Sequence, residues 1–226
     1  MASKLLRRSG ISVGLVAEAI NWRAALVIQV GVGPHHEEVD VLLEEWSGVK
    51  FIGYEPHPDS CVNYPGELRR MAITDHEGEA VLTFNKRHKN GATLLSYVGK
   101  GAEDCQSVNV RTTTLDNQFP EPLAVPTMLW LDCEGLELAA LKGGERFIKN
   151  VDVVNVEMTA NSALLAPGWC SPGAVHLWLV EHGFWLQWIH SERVYLGQVD
   201  CVYCRRHLFR PEVCGVPQEI IRYSSH

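Results

Sequence analysis

The chain has 226 residues, 46% of them hydrophobic, enough apolar surface for one globular domain with a substantial core. A formal net charge of −7 supplies no global positive field to gather nucleic acid, so a DNA or RNA substrate is disfavoured. Seven cysteines, an odd number at irregular spacings, fit reduced thiols in a cytoplasmic compartment better than a disulfide framework.

The start, MASKLLRRSGISVGLVAEAINW, is basic and then mixed, and AEAINWR interrupts it before any long apolar run. An amphipathic helix packed on the domain is expected there, with no membrane span and no cleavable leader. VIQVGVGPHH (Val27 to His36) then reads as a buried strand breaking into a Gly-x-Gly turn. From His36 to Trp46, Val39, Leu42, Leu43 and Trp46 recur at helical spacing, with Glu37, Glu38, Asp40, Glu44 and Glu45 opposite. VKFIGYEP (Val49 to Pro56) is a second strand, ended by a carboxylate and by Pro56 and Pro58, so the opening is βαβ.

LRRMAITD reads as a third strand ending at Asp75, and HEGEAVLTF as a turn at Glu77 and Gly78 feeding another. The Lys-, Gly- and Ser-rich stretch from Asn85 to Cys105 reads as surface loops, and VNVRTTTL alternates as a strand. The opening pattern returns in PTMLWLDCEGLELAALKGG: a buried strand (Met128 to Leu131), an acidic turn, and a helix carrying Leu138 and Leu141 that ends at Gly143 and Gly144. VDVVNVEM is near-continuously apolar, as strands covered on both faces are. Ser171 and Pro172 cap a helix that Gly183 ends, and WLQWIH and VYLGQVDCVYCRR suit an antiparallel edge. Strands alternating with helices and a closing hairpin predict a doubly wound α/β sheet, mostly parallel with an antiparallel C-terminal hairpin.

In such a sheet the ligand sits outside the carboxyl ends of the strands. Gly31 and Gly33 allow close approach there, and Glu55, about 20 residues on, is placed to accept ribose hydroxyl protons. A dinucleotide needs a further glycine where His36 stands, and Glu37 and Glu38 after it oppose a pyrophosphate at the helix start. S-adenosyl-L-methionine has no phosphate and carries a cationic sulfonium, so the electrostatics favour it over NAD.

VIQVGVGP, YEPHP, AITDHEGEAVLTF, TTLD and LWLDCEGLELAALKGG, in this order, resemble the motifs of the FkbM-type S-adenosylmethionine-dependent methyltransferases, over about Val27 to Glu157. The block from Asp132 to Gly143 is the most specific. The resemblance implies a Rossmann-like class I methyltransferase sheet and transfer of a methyl group to a hydroxyl of a small molecule or sugar. It implies one FkbM-like domain over residues 1–226: a helical extension (1–25), a cofactor-binding core (27–157), and a helix with closing strands (158–226). Gln29 stands near the family's usual acid, and His35 near a usual glycine. Trp130 stands where a lysine commonly precedes the acidic block. These departures keep open an alternative reading, a catalytically inactive binding or scaffold protein.

Methyl transfer is an in-line displacement in which the cofactor supplies reactivity and the protein supplies alignment, while an alcohol acceptor needs help to lose its proton. Asp132 and Glu134, at the end of a major strand, are the catalytic candidates. Gln29, Gly31, Gly33, Glu55, Ala72, Ile73 and Asp75 are the cofactor-binding candidates, Ala72 and Ile73 along the adenine and Asp75 at its amino group. Glu137 reads as an acid favouring a helix N-terminus. Glu157 reads equally as an acceptor-side or a structural carboxylate, and His35, His36, His57 and His190 each more readily as a loop or cap residue than as a base. Trp169, Trp178, Trp185 and Trp188 read mainly as packing. Cys201, Cys204, His207 and Cys214 are the residues a zinc ion would need, but Cys201 and Cys204 are three apart on a strand and point to opposite faces, so no metal is expected.

Overall fold

The computed structural model describes residues 12–85, 92–95, 104–159, 168–193 and 197–213. Seven strands form the main sheet: β1 (Leu26–Val30), β2 (Lys50–Tyr54), β3 (Glu67–Arg69), β7 (Thr127–Leu131), β8 (Val153–Thr159), β9 (Phe184–Arg193) and β10 (Gln198–Arg205). Their spatial order is β3-β2-β1-β7-β8-β10-β9, parallel except for β10, which runs antiparallel to both of its neighbours. The order reverses between β1 and β7, the switch point where doubly wound sheets bind ligands. The expected C-terminal hairpin is present, and its second strand is interior to the sheet, leaving β9 as the edge.

Every residue of β1 and β7 is buried, because helices cover both faces. On one face lie α1 (Ser12–Ala19) and α2 (Glu37–Glu45), contributing Val13, Val16, Ala17, Val39 and Leu42 to a core with Val27, Phe51, Met128 and Val202. On the other, α4 (Glu137–Lys142) and α5 (Pro172–Glu181) bring Ala140, Leu141, Val175 and Leu179 against Ile28, Leu129, Val154 and Tyr203. The Ser171 hydroxyl accepts from the Ala174 N–H at 3.2 Å, with Pro172 in the first turn, as the sequence predicts. Gly143 and Gly144 close α4 where a Cβ on Gly143 would come within 2.0 Å of the Thr74 carbonyl oxygen, so glycine lets that helix end abut the second sheet.

That sheet holds β4 (Ala72–Ile73), β6 (Cys105–Thr113) and β5 (Gly78–Asn85), in the order β4-β6-β5. The single strand expected over LRRMAITD is therefore two. The Met71 N–H turns back to the Arg69 carbonyl at 3.0 Å, and this three-residue turn passes the chain from one sheet to the other. A short helix, α3 (Leu115–Gln118), follows β6, its N-terminal Asn117 N–H held by the Thr114 hydroxyl. Within the stretch expected to form surface loops, Thr93 is buried and bridges to Thr83 of β5.

Candidate active site

A cavity of about 340 Å³ opens at the carboxyl ends of β1, β2, β7, β8 and, from the other direction, the start of β10. Its size falls within the range of small-molecule sites. Gln29, Gly31, Gly33, Glu55, Ala72, Ile73, Asp132 and Glu134 all line it, and so do Trp130, Glu157, Gln198 and Asp200. Gly31 takes φ +81, and a Cβ there would stand 1.6 Å from the Asp132 carbonyl oxygen. Only a glycine permits the β1 turn and the β7 turn to touch in this way.

Glu55 is 5% exposed, and its two oxygens are oriented by backbone donors. Oε2 accepts from the Gly33 N–H and Oε1 from the His57 N–H, each at 2.8 Å. Burial pushes its pKa up, while those two N–H groups and the Arg70 charge pull it back. Arg70 Nη1 also donates to the His57 carbonyl at 2.7 Å, bracing the Glu-Pro-His turn. The His57 ring accepts from the Asp59 N–H through Nδ1 at 3.1 Å and meets Phe84 edge-on, as a loop residue would.

The opposite wall is acidic. Asp132 and Glu134 follow β7, Glu157 lies near the end of β8, and Asp200 faces Glu157 in the β8–β10 register. Burial, then the charges of Glu157, Glu134, Glu137 and Asp200, raise the Asp132 pKa well above the usual carboxylate range. Gln198 Nε2 donates to Glu157 at 3.0 Å. Glu134 itself holds φ +50, a left-handed conformation uncommon for a residue with a side chain. The Thr93 hydroxyl donates to its carbonyl at 2.9 Å, and Glu137 shapes the same turn from below. The buried Glu137 accepts from the Cys133 N–H at 3.2 Å, the Gly135 N–H at 3.1 Å and the Cys170 thiol at 3.1 Å. A Cβ on Gly135 would run into the Trp169 ring at 2.4 Å.

Asp75 is not brought to the cavity. The Thr74 N–H stays with the Thr113 carbonyl, after which Asp75 turns outward, exposed, and pairs with His76 at 2.8 Å. His35 lines the cavity mouth, His36 pairs with Asp40 at 3.0 Å, and His190 lies opposite Asp200 in the ladder. Of the four tryptophans named from the sequence, Trp178 is core, Trp185 packs on Phe209, Trp188 packs against the core that holds Val27, and Trp169 is the one that reaches the acidic turn. Cys201 and Cys204 lie in cores on opposite faces of the sheet, and Cys214 lies outside the described residues. Among the described residues, no group of three or more His, Cys, Asp or Glu side chains is arranged to hold a metal ion. Asp200, Gln198, Thr93 and Tyr64 were not singled out by sequence. The alternation of β10, which places Gln198 and Asp200 on one face with Val202, was the available signal for the first two.

The sequence profile of the family described as "Methyltransferase FkbM domain" matches residues 29–196. The chain belongs to the FkbM methyltransferase family. A search of curated proteins finds no match. Among solved structures, the FkbM chain is similar to the pyocyanin biosynthetic protein PhzM, at 12% identity and TM-score 0.40, covering 88% of this chain and 56% of that one. It is also similar to the plantazolicin methyltransferase BpumL in complex with SAH, at 7% identity and TM-score 0.42, covering 84% and 79%. A third is the N-terminal domain of human METTL16 in complex with SAH, at 11% identity and TM-score 0.41, covering 85% and 68%. No described helix of this FkbM protein is long and apolar enough to cross a membrane.

S-adenosyl-L-methionine is the cofactor of this family, and the residues present fit it. Glu55 accepts one backbone N–H on each oxygen, and its remaining lone pairs would be available to ribose hydroxyls. Ala72 and Ile73 supply an apolar wall, and the Gly31 turn lets backbone approach closely. No Lys or Arg is among the described residues lining the cavity, and the acids that are there, Asp132, Glu134, Glu157 and Asp200, would favour a cationic sulfonium.

Proposed function

We propose that this FkbM protein methylates a hydroxyl of a small molecule or sugar, drawing the methyl group from S-adenosyl-L-methionine. The observation that carries the reading is Asp132, a carboxylate of raised pKa within the cavity that Glu55 shares. Bound there, the cofactor supplies an electrophilic methyl group on a cationic sulfur. Glu55 orients through its hydrogen-bonding oxygens, and the Gly31 and Gly33 turns set how closely a ligand lies against the sheet. Asp132 accepts the hydroxyl proton as the acceptor oxygen gains its methyl group, a task suited to a carboxylate whose neighbours make it more basic than usual. Glu137 and Thr93 hold the turn that carries Asp132 and Glu134.

The test begins with calorimetric titration against S-adenosylmethionine, S-adenosylhomocysteine and NAD, followed by a panel of hydroxylated small molecules with S-adenosylmethionine. Binding of both adenosyl ligands, silence from NAD and methylation of a hydroxyl support the reading. Adenosyl binding with no turnover on any acceptor would favour the scaffold reading, and absence of adenosyl binding would remove the cofactor assignment altogether.

A further inference from the structure

Gln29 occupies the centre of the sheet, between Gly53 of β2 and Trp130 of β7 in the register. Its two neighbours differ greatly in size, and the glycine side leaves a gap. A Cβ on Gly53 would sit 2.8 Å from Tyr64 Cε1, so the Tyr64 ring occupies the space that any other residue would fill. Through that gap the Tyr64 hydroxyl donates to Gln29 Oε1 at 3.1 Å, a bond between two buried groups. Burial pushes the tyrosine pKa up, so it keeps the proton that it donates.

An amide has one acceptor end and one donor end. With Oε1 taken by Tyr64, the donor end remains: Nε2 has no partner among the described residues, although Gln29 is only 6% exposed and lines the cavity. Lining the cavity, that N–H₂ group can donate to a ligand acceptor. An acid at this position would attract the ammonium of an amino-acid group, whereas an N–H₂ group repels it and suits a carboxylate.

We infer that Gln29 presents its N–H₂ to the α-carboxylate of the cofactor's amino-acid group, with Tyr64, admitted by Gly53, as the positioning residue that fixes this orientation. The inference rests on the S-adenosylmethionine reading above and reverses the polarity of the ordinary acidic position. Tyr64 acts only through Gln29.

The experiment is calorimetric titration of wild type, Gln29→Glu, Gln29→Leu and Tyr64→Phe with S-adenosylhomocysteine and with 5′-methylthioadenosine, which shares the adenosine and thioether but has no amino-acid group. Gln29→Glu and Gln29→Leu are expected to lose about tenfold or more in affinity for S-adenosylhomocysteine, and Tyr64→Phe a smaller factor. All three should bind 5′-methylthioadenosine as the wild type does. Tighter binding of S-adenosylhomocysteine by Gln29→Glu would show that the position takes the ammonium, and overturns the inference. Equal losses for both ligands in Tyr64→Phe would reduce that residue to a packing role and overturn its part. If Tyr64→Phe does not fold by circular dichroism, the sign of the Gln29→Glu change decides alone. Wild-type binding of 5′-methylthioadenosine without S-adenosylhomocysteine overturns this inference only, and binding of neither overturns the cofactor reading with it.

Discussion

Glu55 and Asp132 stand on opposite walls of one cavity, and burial raises the pKa of both. Their partners differ in kind. Glu55 is met by two backbone N–H groups and the charge of Arg70, all of which stabilise the anion. Asp132 is met by Glu157, Glu134, Glu137 and Asp200, all of which oppose it. A carboxylate surrounded by donors is suited to hold a ligand and stay ionised, while one surrounded by acids is suited to take up and release a proton. The proposed division of labour follows from the neighbours rather than from the two side chains, both of which end in a carboxyl group.

The largest expected effect breaks that pairing at Asp132. Asp132→Asn should lower methyl transfer about 10²- to 10⁴-fold with cofactor affinity unchanged, checked by turnover and calorimetry on the same preparation. In the wild type, transfer should rise with pH through the raised pKa of Asp132, because the proton acceptor must be ionised. Stability runs the other way. A carboxyl whose folded-state pKa lies above its unfolded value holds its proton more tightly when folded, so its contribution is greatest below the unfolded value and is lost as pH rises through the folded one. Asp132→Asn should therefore raise the melting temperature at neutral pH. A variant both inactive and less stable would remove Asp132 from the proposed role.

At the other wall, Glu55→Gln should weaken S-adenosylhomocysteine binding about tenfold, since the Gln amide can keep only one of its ends as an acceptor. At saturating cofactor its turnover should approach that of the wild type, the reverse of the Asp132 pattern. The smallest effect sharpens what the glycine turn contributes. Gly33 takes φ +67 with nothing within 4 Å of a built Cβ, so Gly33→Ala should cost only about 1–2 kcal/mol by chemical denaturation, the price of the left-handed backbone. Its N–H would still hold Glu55, but because the Gly33 turn lines the cavity the added methyl group should also weaken S-adenosylhomocysteine binding, by less than the Glu55 change. Gly31→Ala, in contact with the Asp132 carbonyl, offers no such separation.

The first half of the site was legible because its determinants are local. The Gly-x-Gly turn, the carboxylate after β2 and the Asp-x-Glu-Gly block each combine an apolar run with a turn residue a few positions away. Where partners are remote, the sequence was silent. The split of LRRMAITD turns on one backbone hydrogen bond at Met71, which strand propensity does not encode. Asp75 fits the expected spacing but leaves the cavity because β4 ends two residues earlier, at Ile73, with Thr74 the last residue to bond to the Thr113 carbonyl. Glu137 carries the helix-start position that its sequence suggests, yet its three hydrogen bonds to the acidic turn and to Cys170 come from the tertiary fold. Tyr64 reaches Gln29 only because Gly53 lies between them, a relation among three residues on different elements.

The insertion of β10 between β8 and β9 bears on how the molecule assembles. Helix α5 carries the chain from β8 out to β9, leaving a vacant slot that the last of the described strands, β10, enters from the opposite direction. During synthesis, the switch-point turns and Glu55 are therefore complete while β8 still exposes an unpaired edge, a template for association with other chains. Asp200 and Gln198 arrive with that closing strand, so the same late event that protects the edge also finishes the acidic wall.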